Sequence, residues 1–327
     1  MTTGLAFVVA ALVTLAASAV LVKRIERVGA RLGFTEAILG LVAALAANAP
    51  EITSAVTALV KGQRDIGVGV VLGSNVFNLA ALLGLGGLVA GRINLHRRVI
   101  LFTGAVSLWI GATSLAAVTS VVPMVVALIL ALVVFGAYVA VAASPRVVDR
   151  VGAPAAVSSW LSAAVHEEES ELLPAIHPAL GDRRDVMMAL GALLVVVASS
   201  IVMERTGAAL GAHLGWTDIV IGAVLLAGVT SLPNAVAAIY LAAKGRGSAV
   251  LSEALNSNNL NVMFGFLLPA VLIGAHHIDS SALVVAGFYV GLTVVALALA
   301  FARRGIGRVS GAVIIVGYFV FVFVIVR

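Results

Sequence analysis

The chain has 327 residues, of which 62% are hydrophobic and only 11% are charged, and its mean hydropathy is +1.16. This composition excludes an ordinary soluble globular domain, which needs far more polar surface. The net charge of +5 would suit nucleic-acid binding, but the basic residues lie between apolar runs and not on an amphipathic face, so nucleic acid is excluded as a partner.

Long apolar runs recur along the whole chain. A helix that crosses a bilayer needs about 20 mostly apolar residues, whereas a barrel strand needs only about 10 in an alternating pattern. The runs have the helical length, and four of them, in two pairs, are interrupted by polar residues. The sequence therefore predicts an all-α membrane protein with ten transmembrane helices, at 5–22, 37–60, 66–89, 99–115, 121–143, 186–202, 219–243, 249–273, 282–302 and 312–326.

The positive charges collect on one side of this layout. Sixteen of the 20 Lys and Arg residues fall in loops on that side, and the others are Lys61, Arg64, Arg205 and Arg327. Cytoplasmic loops are enriched in Lys and Arg, so the split predicts that both termini lie outside and the central loop in the cytoplasm. No basic region precedes the first run, so we expect it to be a span and not a cleaved signal peptide.

The segment 144–185 is the only sizeable predicted loop, and we interpret it as a cytoplasmic linker. It carries a run of acidic residues, Glu167, Glu168, Glu169 and Glu171. A calcium-sensing strip is one interpretation of this run, but a solvated linker is the ordinary one for a charged segment and is the prediction here. The chain has no cysteine, which excludes disulfides and thiolate metal sites.

The chain contains an internal repeat, which should be sought before single motifs are interpreted. Matching positions lie 183 residues apart, and they are 49–51 with 232–234, 61–62 with 244–245, and 73–75 with 256–258. The sequence predicts a first five-helix repeat at 1–143, with its motif block at 40–78, and a second at 186–327, with its block at 222–261. Because five is odd, the second repeat is inverted relative to the first, as in many secondary transporters.

The repeated blocks place polar groups inside predicted spans. Glu51 lies near the middle of its span, and an ionisable residue at that depth is functional by default. Pro50 and Pro233 have no N–H to donate, so the carbonyls near residues 46 and 229 lose their usual helical partners. A free carbonyl is the kind of hard oxygen ligand that calcium or sodium takes.

Ser74 and Asn78 are spaced i, i+4 and share a helix face, and Ser257 and Asn261 repeat this geometry. A set of oxygen donors without sulfur or imidazole suits hard cations rather than zinc or copper. Any single Ser or Asn could equally join helices in lipid, and a proline could be only a kink. The predicted cation-binding residues are Glu51, Asn48, Ala47, Ser74, Asn78, Thr230, Ser231, Asn234, Ser257 and Asn261, with Glu51, Asn234, Asn78 and Asn261 as metal ligands and Pro50, Pro233 and Gly73 as helix breaks.

The two blocks resemble the paired alpha repeats of the calcium/cation antiporter superfamily, which includes the sodium/calcium exchangers. The matching segments are 40–51 with 65–78 in the first half and 228–234 with 256–261 in the second. The resemblance implies four helices around a cluster of cation sites, with a glutamate from each repeat at its centre. It also implies alternating access in which the first and sixth spans slide over the core, in a member of prokaryotic type located in the plasma membrane.

The chain departs from the family pattern at informative positions. The family usually has Gly-Thr-Ser before the Pro-Glu pair. In this chain, residues 46–48 are Ala-Ala-Asn. Thr230 and Ser231 are retained in the second block, but Asn234 replaces the expected glutamate. The acidic residue often found late in one repeat is also missing, which leaves Asn78 and Asn261. The predicted core therefore carries one formal charge of −1, from Glu51.

A single charge affects which ion is favoured. A divalent ion would leave the site at +1 in a poorly screened medium, whereas one sodium ion or one proton would leave it neutral. We therefore expect a cation antiporter of the sodium/calcium exchanger type, with Na⁺, Ca²⁺ or H⁺ as transported ions, the lipid bilayer and small cations as partners, and no cofactor.

Several alternatives stay open at this point. A monovalent cation/proton exchanger with little calcium transport, or a non-transporting sensor relative, would fit the missing glutamate. A channel could use the same oxygen ligands, although inverted repeats with kinked helices fit alternating access better. An enzyme is not expected, because an intramembrane hydrolase would need a paired acid, a Ser–His pair or a histidine cluster that the predicted spans lack. The sequence gives no indication of the oligomeric state.

Overall fold

The computed structural model describes residues 2–32, 36–144, 146–150, 152–172, 180–274 and 280–327. These ranges are almost entirely helical, because a helix satisfies its own backbone hydrogen bonds where no water is available. The elements of the first half are α1 (Thr2–Arg31), α2 (Glu36–Ala47), α3 (Ala49–Val60), α4 (Arg64–Asn78), α5 (Gly86–Val89), β1 (Arg92–Asn94), α6 (Arg97–Val118) and α7 (Met124–Ala143).

Two helices lie between the halves, α8 (Arg146–Arg150) and α9 (Ala155–Leu172). The elements of the second half are α10 (Arg183–His213), α11 (Asp218–Val220), α12 (Ala227–Thr230), α13 (Leu232–Ala243), α14 (Gly247–Leu260), α15 (Leu268–Ile273), α16 (Ser280–Arg303), β2 (Gly305–Gly307) and α17 (Arg308–Val326). The strands β1 and β2 pair antiparallel, with Ile93 opposite Ile306, and link the two halves.

Three π-helical segments connect helices that would otherwise be separate. Leu79–Leu85 joins α4 to α5, Ile221–Leu226 joins α11 to α12, and Asn261–Leu267 joins α14 to α15. The first follows Asn78 directly and the third begins at Asn261, which are equivalent places in the two blocks. Single π turns inside helices are frequent at functional sites, and these two lie next to predicted ligands.

The structure supports most of the predicted spans. Among the described residues, seven helices are long and apolar enough to cross a membrane, and the number is nine if each of two bent pairs counts as one span. The predicted span 249–273 is helical through α14, its π segment and α15, but α14 is rich in Ser and Asn and almost wholly buried. The prediction of an all-helical membrane protein is confirmed, and the number ten stays a prediction.

The long helices α1 and α10 pack side by side, and their contacts show that they run in opposite directions. Near their middles, the hydroxyl of Thr14 donates to the hydroxyl of Ser199 at 2.8 Å. Towards the end of α1, Arg24 donates to Asp185 at the start of α10 at 2.7 Å. These bonds join the two helices as a pair that lies against the bent helices of the core.

Gly73 is a point of close helix approach and not a helix break. Helix α4 runs without interruption from Arg64 to Asn78. A Cβ atom at position 73 would lie 2.5 Å from the backbone of Ala223, in the π segment of the second half. The predicted break at Gly73 is therefore wrong, because the glycine serves to let two helices touch backbone to backbone.

The segment 144–185 contains more structure than a solvated linker. Helix α9 packs against α6 and α14, and its Ala164 and Val165 are buried. Glu167 accepts a hydrogen bond from Arg98 at 2.8 Å. The expectation of a solvated loop is therefore wrong for α9, whose apolar residues cover neighbouring helices. The side chains of Glu168, Glu169 and Glu171 lie outside the described residues.

Candidate functional site

Two bent helix pairs form the centre of the candidate site. The bend between α2 and α3 is 51° and that between α12 and α13 is 45°. They fall at Asn48 and Ser231, each two residues before a proline. Pro50 and Pro233 cannot donate to the preceding turn and crowd its carbonyls, which explains why both helices bend there.

The bends bring Glu51 of the first half against Asn234 of the second. The hydroxyl of Ser231 donates to Glu51 Oε1 at 3.1 Å, and the amide of Asn234 donates to the same oxygen at 3.3 Å. Asn234 also donates to Asn48 Oδ1 at 2.7 Å. Each of these four side chains is 0% exposed, so the single carboxylate lies among neutral polar groups in the protein interior.

Asn48 connects the side chains around Glu51 to helix α14. Its amide donates to the backbone carbonyl of Ser257 at 3.0 Å. The hydroxyl of Thr230 instead donates to Leu226 O, 3.0 Å away in the preceding turn, so its proton is used locally. Ala47 ends α2 and is buried, and only its carbonyl could serve as a ligand.

Four asparagines beside this group link α4 to α14 and to the first residue of the π segment that follows it. Asn75 and Asn258 each donate a side-chain amide to the other's backbone carbonyl, at 3.2 and 3.1 Å. Asn78 donates to Asn258 Oδ1 at 3.0 Å, and Asn261 donates to Asn75 Oδ1 at 3.3 Å. All four are 0% exposed. The structure therefore places the predicted ligands Asn78 and Asn261 in one network that joins the two halves.

Several buried oxygens of the predicted site lack a partner. Unpaired polar atoms are few in native interiors, and each costs about 1–3 kcal/mol unless something binds it. Within the described ranges, the unpartnered oxygens that belong to predicted site residues are Glu51 Oε2, Ser74 Oγ, Asn78 Oδ1, Asn234 Oδ1, Ser257 Oγ and Asn261 Oδ1. One carboxylate, three amide oxygens and two hydroxyls form a donor set that suits a hard cation.

The site is poor in charge. The described residues contain no group of three or more His, Cys, Asp or Glu that could hold a metal ion. Any cation bound here would therefore depend on neutral oxygens, with Glu51 as the charged member of the predicted set. Neutral ligands and one carboxylate favour a weakly held, exchangeable ion over a permanently bound metal.

Sequence reasoning missed residues that the structure brings into or near the site. Asn75 and Asn258 were not predicted as site residues, although they are repeated positions of the same motif. Glu204, in the second half of α10, is 0% exposed and pairs with Lys61 at the end of α3. The sequence could have indicated Glu204, because it lies just beyond the predicted span 186–202. Glu253 in α14 was also missed. It is half-buried and is the second acid, after Glu51, that lies inside a predicted span.

A comparison with protein families gives a match over most of the chain. The sequence model for the family described as sodium/calcium exchanger protein matches residues 3–144 and 186–327. Among curated proteins, CaxA of Alkalimonas amylolytica, a provisionally assigned antiporter, is 26% identical over 300 residues. The alignment covers 88% of this chain and 87% of CaxA.

Solved structures share the fold. The H⁺/Ca²⁺ exchanger CAX has a TM-score of 0.70 at 14% identity, covering 99% of this chain and 85% of CAX. Native YfkE has a TM-score of 0.63 at 20% identity, covering 98% and 91% of the two chains. The sodium-calcium exchanger NCX_Mj has a TM-score of 0.62 at 18% identity, covering 98% and 97%.

Proposed function

Because the chain belongs to the sodium/calcium exchanger protein family, we propose that it is a secondary-active cation antiporter that binds its ion at Glu51. The other ligands are the amide and hydroxyl oxygens around this carboxylate, together with backbone carbonyls released at the two proline bends. The transported ions are Na⁺, Ca²⁺ or H⁺, and no cofactor takes part.

The unpartnered oxygens around Glu51 carry this proposal. They come from both halves, from helices α3, α4, α13 and α14 and from the π segment that follows α14. Single buried oxygens also lack a partner elsewhere in the described residues, for example Ser107 Oγ and Ser310 Oγ. The candidate site differs because six such oxygens belong to predicted site residues of the two repeated motif blocks, with one carboxylate among them, and each costs stability unless something binds it. This is the arrangement expected of a site that binds and releases a cation.

The reciprocal contacts support two inverted five-helix repeats. Two equivalent residues that each donate to the other are the pattern expected when two units are related by a two-fold axis. Asn75 and Asn258 are equivalent positions and bond to each other's carbonyls in this way. The equivalent helices α1 and α10 also run antiparallel, which fits such an axis. The repeats proposed at 1–143 and 186–327 are also consistent with the two segments matched by the family model.

We propose that α1 and α10 move together during alternating access. The Thr14–Ser199 and Arg24–Asp185 bonds join them to each other, so they can shift as one body against the bent helices. A site at the interface of two inverted repeats can then open to either side, as the halves exchange conformations.

The charge of the site sets an expectation for the ion. The family relatives with known folds include exchangers of calcium against protons and against sodium, so the fold is compatible with either coupling ion. With Asn234 opposite Glu51, one sodium ion or one proton neutralises the predicted site, whereas calcium leaves it at +1. We therefore propose weaker calcium binding than in a relative with two central glutamates, and fewer monovalent ions exchanged in each cycle.

The proposed location is the plasma membrane of a prokaryote. The distribution of Lys and Arg supports a layout with both termini outside and the segment 144–185 in the cytoplasm.

The proposal is tested by reconstituting the purified protein in proteoliposomes and measuring uptake of radioactive calcium and sodium. An outward gradient of sodium or of protons is imposed separately, so that the coupling ion is identified. We expect saturable, gradient-dependent uptake by the wild-type protein. No flux of either ion would favour the non-transporting sensor relative.

Glu51→Gln is the decisive variant, because it keeps the shape of the side chain and removes its charge. We expect uptake to fall at least about tenfold, since no other charged residue belongs to the predicted ligand set. Glu167→Gln is the matched control, because it removes an acidic side chain that pairs with Arg98 away from the site. Wild-type uptake by Glu51→Gln would contradict the proposed ion site.

A further inference from the structure

The backbone carbonyls in the asparagine network determine how its amides are oriented. A carbonyl oxygen can only accept a hydrogen bond, so the group of Asn258 that lies 3.1 Å from Asn75 O must be its NH₂. The side-chain oxygen of Asn258 is then on the opposite side of the amide. Asn75 is oriented in the same way by the carbonyl of Asn258, 3.2 Å from its nitrogen.

These two amides in turn orient the neighbouring pair. Asn258 Oδ1 can only accept, so Asn78 must present its NH₂ to it, at 3.0 Å. Asn261 must likewise present its NH₂ to Asn75 Oδ1, at 3.3 Å. The remaining oxygens, Asn78 Oδ1 and Asn261 Oδ1, have no hydrogen-bond partner among the described residues.

We infer that Asn75 and Asn258 are positioning residues that keep the oxygen atoms of Asn78 and Asn261 available to the transported cation. This inference rests on the proposed function, because it assumes that these oxygens bind an ion. The side-chain oxygen of each positioning residue already accepts a hydrogen bond from its neighbour. Asn75 and Asn258 therefore act on the ion through Asn78 and Asn261.

The physical need for positioning follows from the amide itself. The two ends of an asparagine amide have nearly the same shape but opposite polarity, so a rotated amide would offer N–H donors to the ion. Because the cation attracts oxygen and repels the NH₂ end, a rotation at Asn78 or Asn261 converts a ligand into a repulsive group. The two reciprocal bonds between Asn75 and Asn258 prevent this rotation in both halves.

The test compares Asn258→Ala in two backgrounds. In the wild-type background, the change frees the Asn78 amide to rotate, and we expect the apparent affinity for calcium or sodium to fall about tenfold. In an Asn78→Asp background, position 78 has an oxygen at both ends of the group, so orientation no longer matters. There we expect any loss of affinity caused by Asn258→Ala to be less than about twofold, because Asn258 Oδ1 can only accept and cannot hydrogen-bond to a carboxylate at position 78. The affinity is measured from initial rates of radioactive calcium and sodium uptake in proteoliposomes, at equal amounts of folded protein.

The equivalent experiment in the other half is Asn75→Ala with and without Asn261→Asp, and it also serves if an Asn258 variant fails to fold. Asn256→Ala is the matched control, because Asn256 lies in the same helix as Asn258 but donates its amide to Tyr138, outside the network. We expect this control to keep the wild-type affinity.

The possible outcomes separate the two proposals. A loss that is equal in the two backgrounds would show a general structural role and overturn the positioning inference alone. Absence of calcium and sodium uptake by the wild-type protein would overturn the proposed function and this inference with it. A loss confined to the backgrounds with asparagine at 78 or 261 supports the inference.

Discussion

Glu51 and Asn234 occupy equivalent positions, yet only one of them carries a charge. They lie in direct contact, with the Asn234 amide 3.3 Å from Glu51 Oε1. In a poorly screened interior, a second carboxylate here would strongly favour an ion of charge +2, whereas the amide leaves one carboxylate to balance one positive charge. The choice of ion is therefore expected to depend on this pair more than on any other contact.

Asn234→Glu is expected to tighten calcium binding at least about tenfold, because two carboxylates together neutralise a divalent ion. The measurement is the calcium concentration that gives half-maximal uptake in proteoliposomes. Asn234→Gln is the matched control, since it has nearly the same size as glutamate and no charge. Equal effects of the two substitutions would show that Asn234 does not influence the ion through its charge.

At the scale of elements, close packing between the halves depends on α4 touching the π segment Ile221–Leu226. Gly73 lies at this contact, and position 73 has no room for a Cβ atom against the backbone of Ala223. Because backbone atoms cannot rotate away as a flexible side chain can, an added methyl group must push the helices apart.

Gly73→Ala is therefore expected to lower the free energy of unfolding by about 1–3 kcal/mol and to reduce transport. Gly136→Ala is the control, since a Cβ atom at that helical position would meet nothing within 4 Å. Thermal unfolding of the detergent-solubilised variants measures the difference. A Gly73→Ala protein as stable as Gly136→Ala would mean that α4 and the second half are not in this close contact.

The ion pair of Lys61 with Glu204 joins α3 to α10. Glu204 is 0% exposed and the Lys61 side chain is 31% exposed, so the carboxylate is the buried partner. Lys61→Met leaves that buried charge without its cation, and we expect a loss of stability of about 1–3 kcal/mol. The double variant Lys61→Met with Glu204→Met is expected to recover most of it in the same unfolding measurement. A double variant no more stable than Lys61→Met would argue against the pairing.

At the scale of the whole molecule, the proposed orientation in the membrane rests on the distribution of basic residues. The chain has no cysteine, so single cysteines report their own accessibility without background. In intact cells, a membrane-impermeant maleimide is expected to label Thr2→Cys and to leave Ser159→Cys unlabelled until the cells are permeabilised. The reverse pattern would invert the proposed orientation.

Much of this architecture is predictable because its signals are local. Apolar runs of helical length indicate spans, and prolines such as Pro50 indicate bends, since both depend on a few neighbouring residues. The recurrence of Pro and Ser-Asn at equivalent positions of the two halves also indicates where the candidate site lies. The role of Gly73 and the packing of α9 were not predictable, because each depends on a surface that distant residues supply.

Hydropathy and the repeated motifs were enough to predict a helical membrane protein, the polar residues inside its helices, and Glu51 as the single acid of the predicted ligand set. How those polar groups pair could be seen only in the folded protein. Asn75 meets Asn258, and Lys61 meets Glu204, across separations of 183 and 143 residues. The physical reason is that hydropathy and helix breaking act over a few residues, whereas the pairing of buried amides and charges depends on helix contacts made between the two halves.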